Sequence, residues 1–229
     1  MLSRTVRLVG LVFALVLASA GGLRAHDPSA VPLSWNREIS RLVFDKCASC
    51  HRPGGTSFSL MTYQDAQPRL TEIKESVLKR QMPPWGAVKG FGDFRNDQGL
   101  TQEQIALVTD WVEGGASRGG NRNVLPPTPK FVTPAAFTLP ADAIAVSGHL
   151  VLRNAVVLDG VFPERIPKGA SPQIVAALPD GSVRPLVWLY EYSDSTRHPF
   201  LFRKPVHLPA GTTIRGVPAG SKLFLLTTS

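Results

Sequence analysis

Cysteine is nearly missing from this chain of 229 residues: Cys47 and Cys50 are its only two. A structural zinc site takes four protein ligands, and nothing else in the sequence completes one around this pair. A bridge between cysteines so close together would close too short a loop to staple a fold. There is no stripe of basic residues interleaved with aromatics, which removes nucleic acid from the expected partners. Internal repeats and low-complexity tracts are absent too. The one long apolar run, Leu8 to Ala18, is shorter than the roughly 20 residues that span a bilayer.

That run lies in "MLSRTVRLVGLVFALVLASAGGLRAHD", where Arg4 and Arg7 precede it and small residues follow. The order is that of a secretory signal peptide over residues 1–25, with cleavage after Ala20 or Ala25. The expected location is the periplasm, with membrane association as the open alternative. The formal charge of +8 includes Arg4, Arg7 and Arg24, which leave with the leader.

What chemistry the chain does carry is concentrated in "CASCH", Cys47 to His51. Two thiols one helical turn apart can each add to a haem vinyl group, leaving the adjacent imidazole as an axial ligand of the iron. A redox dithiol of the thioredoxin kind would sit between a strand and a helix in a βαβ unit. Here the pair follows the helical pattern "ISRLVFDK", and no such unit is legible. The spacing therefore points to one covalent haem c held by Cys47, Cys50 and His51. Export agrees with the compartment in which such haem is attached.

A six-coordinate haem needs a second axial ligand, commonly Met or His. Beyond the leader only Met61 and Met82 supply a thioether. Met61 follows His51 so closely that the chain would have to turn at once around the group. Met82 comes after a full helical pattern, and Pro83 and Pro84 would stiffen its loop. Met82 is the expected ligand and Met61 the alternative. Trp85 is expected to cover the haem or to donate its indole N–H to a propionate. His149, His198 and His207 stand singly in the second half and are expected to be solvated or satisfied in the core.

Residues 34–120 carry helical periodicity. Asn36 suits the start of a first helix bearing Ile39, Leu42 and Val43, and a second runs from about Pro68 to Gln81. Thr101 and Gln104 form a capping box for a third, with Ile105, Val108 and Trp111 on its apolar face and Gly114 and Gly115 at its end. Residues 121–130 read as a linker. In 131–229 the short β-type runs "AIAVSGHLVL", "QIVAAL", "RPLVWLY" and "TTIRGV" alternate with turns such as "PDGS" and "PAGT".

The stretch from Asn36 to about Gly120, with "CASCHRPGG", "SLMTYQDA", "KRQMPPW" and "LTQEQIALVTDWVEGGA", resembles class I mono-haem cytochrome c domains. The resemblance implies Met82 as distal ligand and Trp111 in the terminal helix among the haem-binding residues. The segments "QIVAALPDGSVRPLVWLYEY" and "FRKPVHLPAGTTIRGV" resemble, more weakly, a copper type II ascorbate-dependent monooxygenase β-sandwich. Such relatives carry a His-x-His pair where this chain has Val161 to Arg165, so a degenerate domain without copper is expected.

The expected fold is α + β in separate domains, an all-α cytochrome c fold followed by an antiparallel β-sandwich. The expected function is an exported c-type cytochrome that carries single electrons through one haem and needs no catalytic residues. Arg69 to Lys89 holds five basic residues against Glu72 and Glu75, which suits acidic redox partner proteins. Two alternatives stand beside it. One is a haem enzyme, copper monooxygenase-like or peroxidase-like, with a second site in the β half. The other is a haem-bearing subunit that docks to a membrane-bound respiratory complex.

Overall fold

The computed structural model describes residues 32–131 and 135–228. The leader over 1–25 and its cleavage sites lie outside the described residues. The described residues from Leu33 onward belong to one compact unit.

The chain enters through a π-helical turn, Trp35–Ile39, that runs directly into α1, Ser40–Lys46. Ser34 precedes the turn, and its N–H donates to the Glu38 carboxylate at 3.0 Å, which satisfies an otherwise orphan donor. Asn36, expected as the cap, lies inside the turn instead. Its Nδ2 donates to the carbonyls of Gly119 and Asn121, at 3.0 and 3.1 Å, and so ties the first turn to the chain that leaves the last helix. Thr62 and Asp65 form a capping box for α2, Tyr63–Ala66, which continues through a 3₁₀ turn at Gln67–Arg69 into α3, Leu70–Leu78. α4, Gln102–Glu113, starts on the reciprocal Thr101 and Gln104 bonds and gives way to Gly115 at φ 89°.

Eight strands follow: β1 Ile144–Val146, β2 Leu150–Val151, β3 Val156–Arg165, β4 Gln173–Ala177, β5 Val183–Trp188, β6 Phe200–Leu208, β7 Thr213–Arg215 and β8 Lys222–Thr227. They form two four-stranded antiparallel sheets, ordered β1-β8-β3-β6 and β2-β7-β4-β5. Leu158, Val161, Phe200 and Leu223 from the first sheet and Ile174, Leu186 and Ile214 from the second share one apolar core. The turn expected at "PDGS" closes the β4–β5 hairpin, with Ser182 N–H and Oγ both bonded to Asp180.

The expectation of an all-α cytochrome c fold followed by a separate β-sandwich is overturned. The longest helices have 12 and 9 residues, and two antiparallel sheets dominate the molecule. The helices bury only two small clusters, one around Trp35, Ile39 and Trp111 and one around Leu42, Val77 and Ile105. The chain between α3 and α4 rejoins them only at Leu100. Its Trp85 and Phe94 belong to the core of the strands, Ala87 pairs with Leu189 and Phe94 with Phe202. A bidentate ion pair from Arg95 to Asp159 on β3 adds to this attachment. The hydrogen bonds from Arg95 hold the Asp159 carboxyl below its ordinary range.

No helix among the described residues is long and apolar enough to cross a membrane.

Candidate functional site

Cys47 caps the end of α1, its N–H donating to Val43 O at 2.9 Å. The chain then turns tightly: the N–H groups of Cys50 and His51 both point to Cys47 O, at 3.2 and 2.9 Å. This single turn brings the residues of the C-x-x-C-H motif together, as their spacing requires. Cys47 and Cys50 are free thiols, Cys50 at the surface.

The Cys47 thiol borders a small apolar void of about 30 Å³ between the helices, with Trp35, Val77, Leu100 and Trp111 also in its lining. Although the residue as a whole is only half-buried, loss of hydration at the thiol, with the Asp45 charge as a lesser cause, pushes its pKa up to about 12. A redox dithiol depends on a depressed pKa at its attacking thiol, so Cys47 is poorly suited to that part. Because the folded value is raised above the ordinary 9.0, the neutral thiol favours the folded chain fully below about pH 9 and loses that contribution as pH climbs toward 12. Urea unfolding of the haem-free protein should therefore show stability falling from pH 8 to 11, and less steeply in Cys47→Ala. Iodoacetamide at pH 8 should label Cys50 well before Cys47.

His51 is oriented by its own loop. Its Nδ1 lies 3.0 Å from Phe58 O, and its ring meets Phe58 edge-on at 4.7 Å. A carbonyl oxygen can only accept, so Nδ1 carries the proton, and in the neutral ring that tautomer leaves the lone pair on Nε2. Ligating histidines commonly have this arrangement, with the other ring N–H fixed by a carbonyl or carboxylate.

Met82 sits on the rim of a second space, a cleft of about 810 Å³ between the end of α3 and the end of β5. The residue is 44% exposed. Val77 and Leu100 line both this cleft and the void beside Cys47. Met61 is half-buried, just ahead of the α2 cap. Trp111 is buried, packed against Trp35 at 6.0 Å, with its Nε1–H donated to Ser117 O at 3.0 Å.

Trp85 also borders the cleft, but its ring belongs to the β half. It stacks on His198 at 4.9 Å and meets Phe94 and Phe200 edge-on. His198 Nε2 lies 3.1 Å from Trp85 O. His149 and His207 are exposed, and Val161 to Arg165 form part of the central strand β3, paired on both sides. Among the described residues, no three His, Cys, Asp or Glu side chains gather into a group that would hold a metal ion.

Sequence reasoning missed Trp188 and Tyr190 of the cleft and read Arg80 only as one of the basic residues between Arg69 and Lys89. Trp188 and Tyr190 come from β5 and the residues after it, and Arg80 directly precedes the Met82 loop. Nothing in the linear pattern brings β5 to the end of α3.

The chain matches no family model, no curated protein and no solved structure.

Proposed function

We propose that this chain is an exported carrier of single electrons that binds one haem c covalently. The observation that carries the reading is His51: it directly follows two free thiols on one turn, and its Nδ1 is committed to Phe58 O, so Nε2 is free to ligate. Haem iron supplies reversible one-electron chemistry when bound. Cys47 and Cys50 would form the two thioethers, His51 Nε2 would be one axial donor and the Met82 thioether the other. The surroundings of Cys47 have the apolar character that such a group needs, and Val77 and Leu100 border both the small void there and the Met82 cleft. Trp111 would support it indirectly, by holding α4 against Trp35. Lys79, Arg80 and Lys89 line the same cleft, which suits an acidic redox partner and steering at low ionic strength. The periplasm follows from the leader sequence alone.

The test is expression of the full chain with periplasmic haem attachment, followed by a denaturing gel stained for haem peroxidase activity. The stain should stay with the polypeptide and vanish in the Cys47→Ala/Cys50→Ala variant. A stain that leaves the wild-type band overturns the proposal.

A further inference from the structure

The carbonyl that orients His51 is itself held from two sides. Between His51 and Phe58 the loop is mostly exposed, so burial alone does not fix it. Leu60 N–H closes the loop onto His51 O at 3.0 Å, and Ser57 N–H bonds Cys50 O at 3.2 Å. Just after Phe58, the Ser59 hydroxyl donates to the Asp65 carboxylate at 2.7 Å, and the same oxygen accepts Thr62 N–H in the α2 cap. The Phe58 ring lies between two further groups. It meets the His51 ring at 4.7 Å, and the Arg69 guanidinium carbon stands over it, 3.8 Å from the ring centre. A guanidinium at that distance over an aromatic face is in cation–π contact. Arg69 closes the 3₁₀ turn that leads into α3, and its Nη1 donates to Glu72 Oε2 at 3.1 Å. That bond steadies the planar fork while its face is given to Phe58. Arg69 is one of five basic residues between positions 69 and 89, and this contact gives it a task inside the fold.

We infer that Arg69 is a positioning residue for His51: by clamping the Phe58 ring it keeps Phe58 O on Nδ1–H, and so keeps the Nε2 lone pair available to a metal. The inference rests on the haem proposal for what His51 ligates; how His51 is held follows from the loop and α3 alone. A neutral imidazole has two tautomers, which differ in the nitrogen that bears the proton. A carbonyl fixed opposite Nδ1 selects Nδ1–H. A carbonyl free to swing away lets the proton sit on Nε2, where it blocks the ligating lone pair. Arg69 acts on the ring face, and the ring acts on the carbonyl through the covalent frame of one residue.

The test is the tautomer ratio of His51 in the full-length, haem-free protein, read by nitrogen NMR of isotope-labelled histidine at about pH 8.5, above the ordinary histidine range. Nδ1–H should dominate in the parent. Arg69→Gln, which removes the charge, and Phe58→Leu, which keeps apolar bulk and removes the ring face, should each lower the ratio of Nδ1–H to Nε2–H. The expected change for Arg69→Gln is about two- to fivefold, the size of one partly exposed cation–π contact. Added to Phe58→Leu, Arg69→Gln should lower the ratio no further, because the contact is already gone. Arg69→Lys should restore part of it, since an ammonium keeps the charge without the planar fork. The Arg69 side chain is 40% exposed, so its replacement leaves the core in place, and the dispersion of the amide spectrum checks that. A majority of Nε2–H in the parent, a ratio unchanged by Arg69→Gln, or an equal effect of Arg69→Gln with and without the Phe58 ring overturns the inference. All of these are read without haem, and the haem stain decides the other proposal separately. A chain that shows the expected ratios and takes no haem keeps Arg69 as the positioning residue of His51 and loses only iron as the ligated metal.

Discussion

If the proposed haem is bound, Met82→Ala is expected to leave it attached and open its iron. The weak far-red absorption of a sulfur-ligated ferric haem should disappear, the reduction potential should fall, and cyanide and carbon monoxide should bind where the parent protein excludes them. A thioether favours the ferrous state, and Met82 has no competing structural task. The residue is 44% exposed and lines the cleft, so it is not core filler, the usual duty of a methionine. Its backbone N–H reaches Ser76 O at 3.3 Å, and three residues later the chain is pinned by Trp85 in the β core. Met82 is thus held between two fixed points while the residue itself stays partly exposed. Met61→Ala should change none of the spectra and cost about 1 kcal/mol, as befits a half-buried side chain outside the main clusters. The reverse pattern would make Met61 the ligand.

The ends of α4 were legible because each is a local device: the Thr101 and Gln104 side chains satisfy backbone donors three residues apart, and Gly115 takes a positive φ. The C-x-x-C-H turn was legible for the same reason. The second helix ends at Leu78, earlier than Gln81, because Arg80 turns into the left-handed region, and no residue type announces that where glycine would have. The longest strands were the hardest to see. β3 contains Asp159, Gly160 and Pro163, which break an alternating pattern, yet the ladder shifts register at Gly160 and again after Pro163. A Cβ at Gly160 would lie 2.4 Å from Phe200 O, so the irregular residue is what allows β6 to approach. β8 reads "KLFLLT", buried at four successive positions, and such a run has no period to distinguish strand from helix.

The division into an all-α part and a β part followed from treating "MPPW" as belonging wholly to its helical neighbours. In the structure the motif straddles the two. Its methionine faces the cleft, and its tryptophan enters the strand core, a long-range choice that depends on His198 and Phe200 more than a hundred residues later. That arrangement makes the β half the anchor of the Met82 loop. Tyr190 N–H bonds Gly86 O at 2.9 Å and Val88 N–H bonds Trp188 O at 2.9 Å, so the chain after Trp85 runs against the end of β5 like an added strand. Gly86 is required there: its φ is 74°, and a Cβ would come within 2.6 Å of Thr196 Cβ.

Trp85→Ala should accordingly destabilise the protein whether or not any haem is present. The ring is 4% exposed and touches Phe94, His198 and Phe200, so its removal deletes a large buried surface and leaves a cavity, a change that typically costs about 3–5 kcal/mol. Trp85→Phe keeps much of the packing and should cost about half of that or less. The decisive measurement is denaturant unfolding of the haem-free chain. A tryptophan whose task was only to cover a haem would leave the stability of that form nearly unchanged on truncation. One that belongs to the strand core lowers it by the full amount. In the haem-loaded protein the same variant should weaken the Met82 bond as well, because the loop loses its anchor three residues away. Its far-red absorption should then fade at a lower denaturant concentration than in the parent, ahead of global unfolding. An Ala variant as stable as the parent in the haem-free form would return Trp85 to the role that its position in "MPPW" first suggested, and would detach the β half from the Met82 loop.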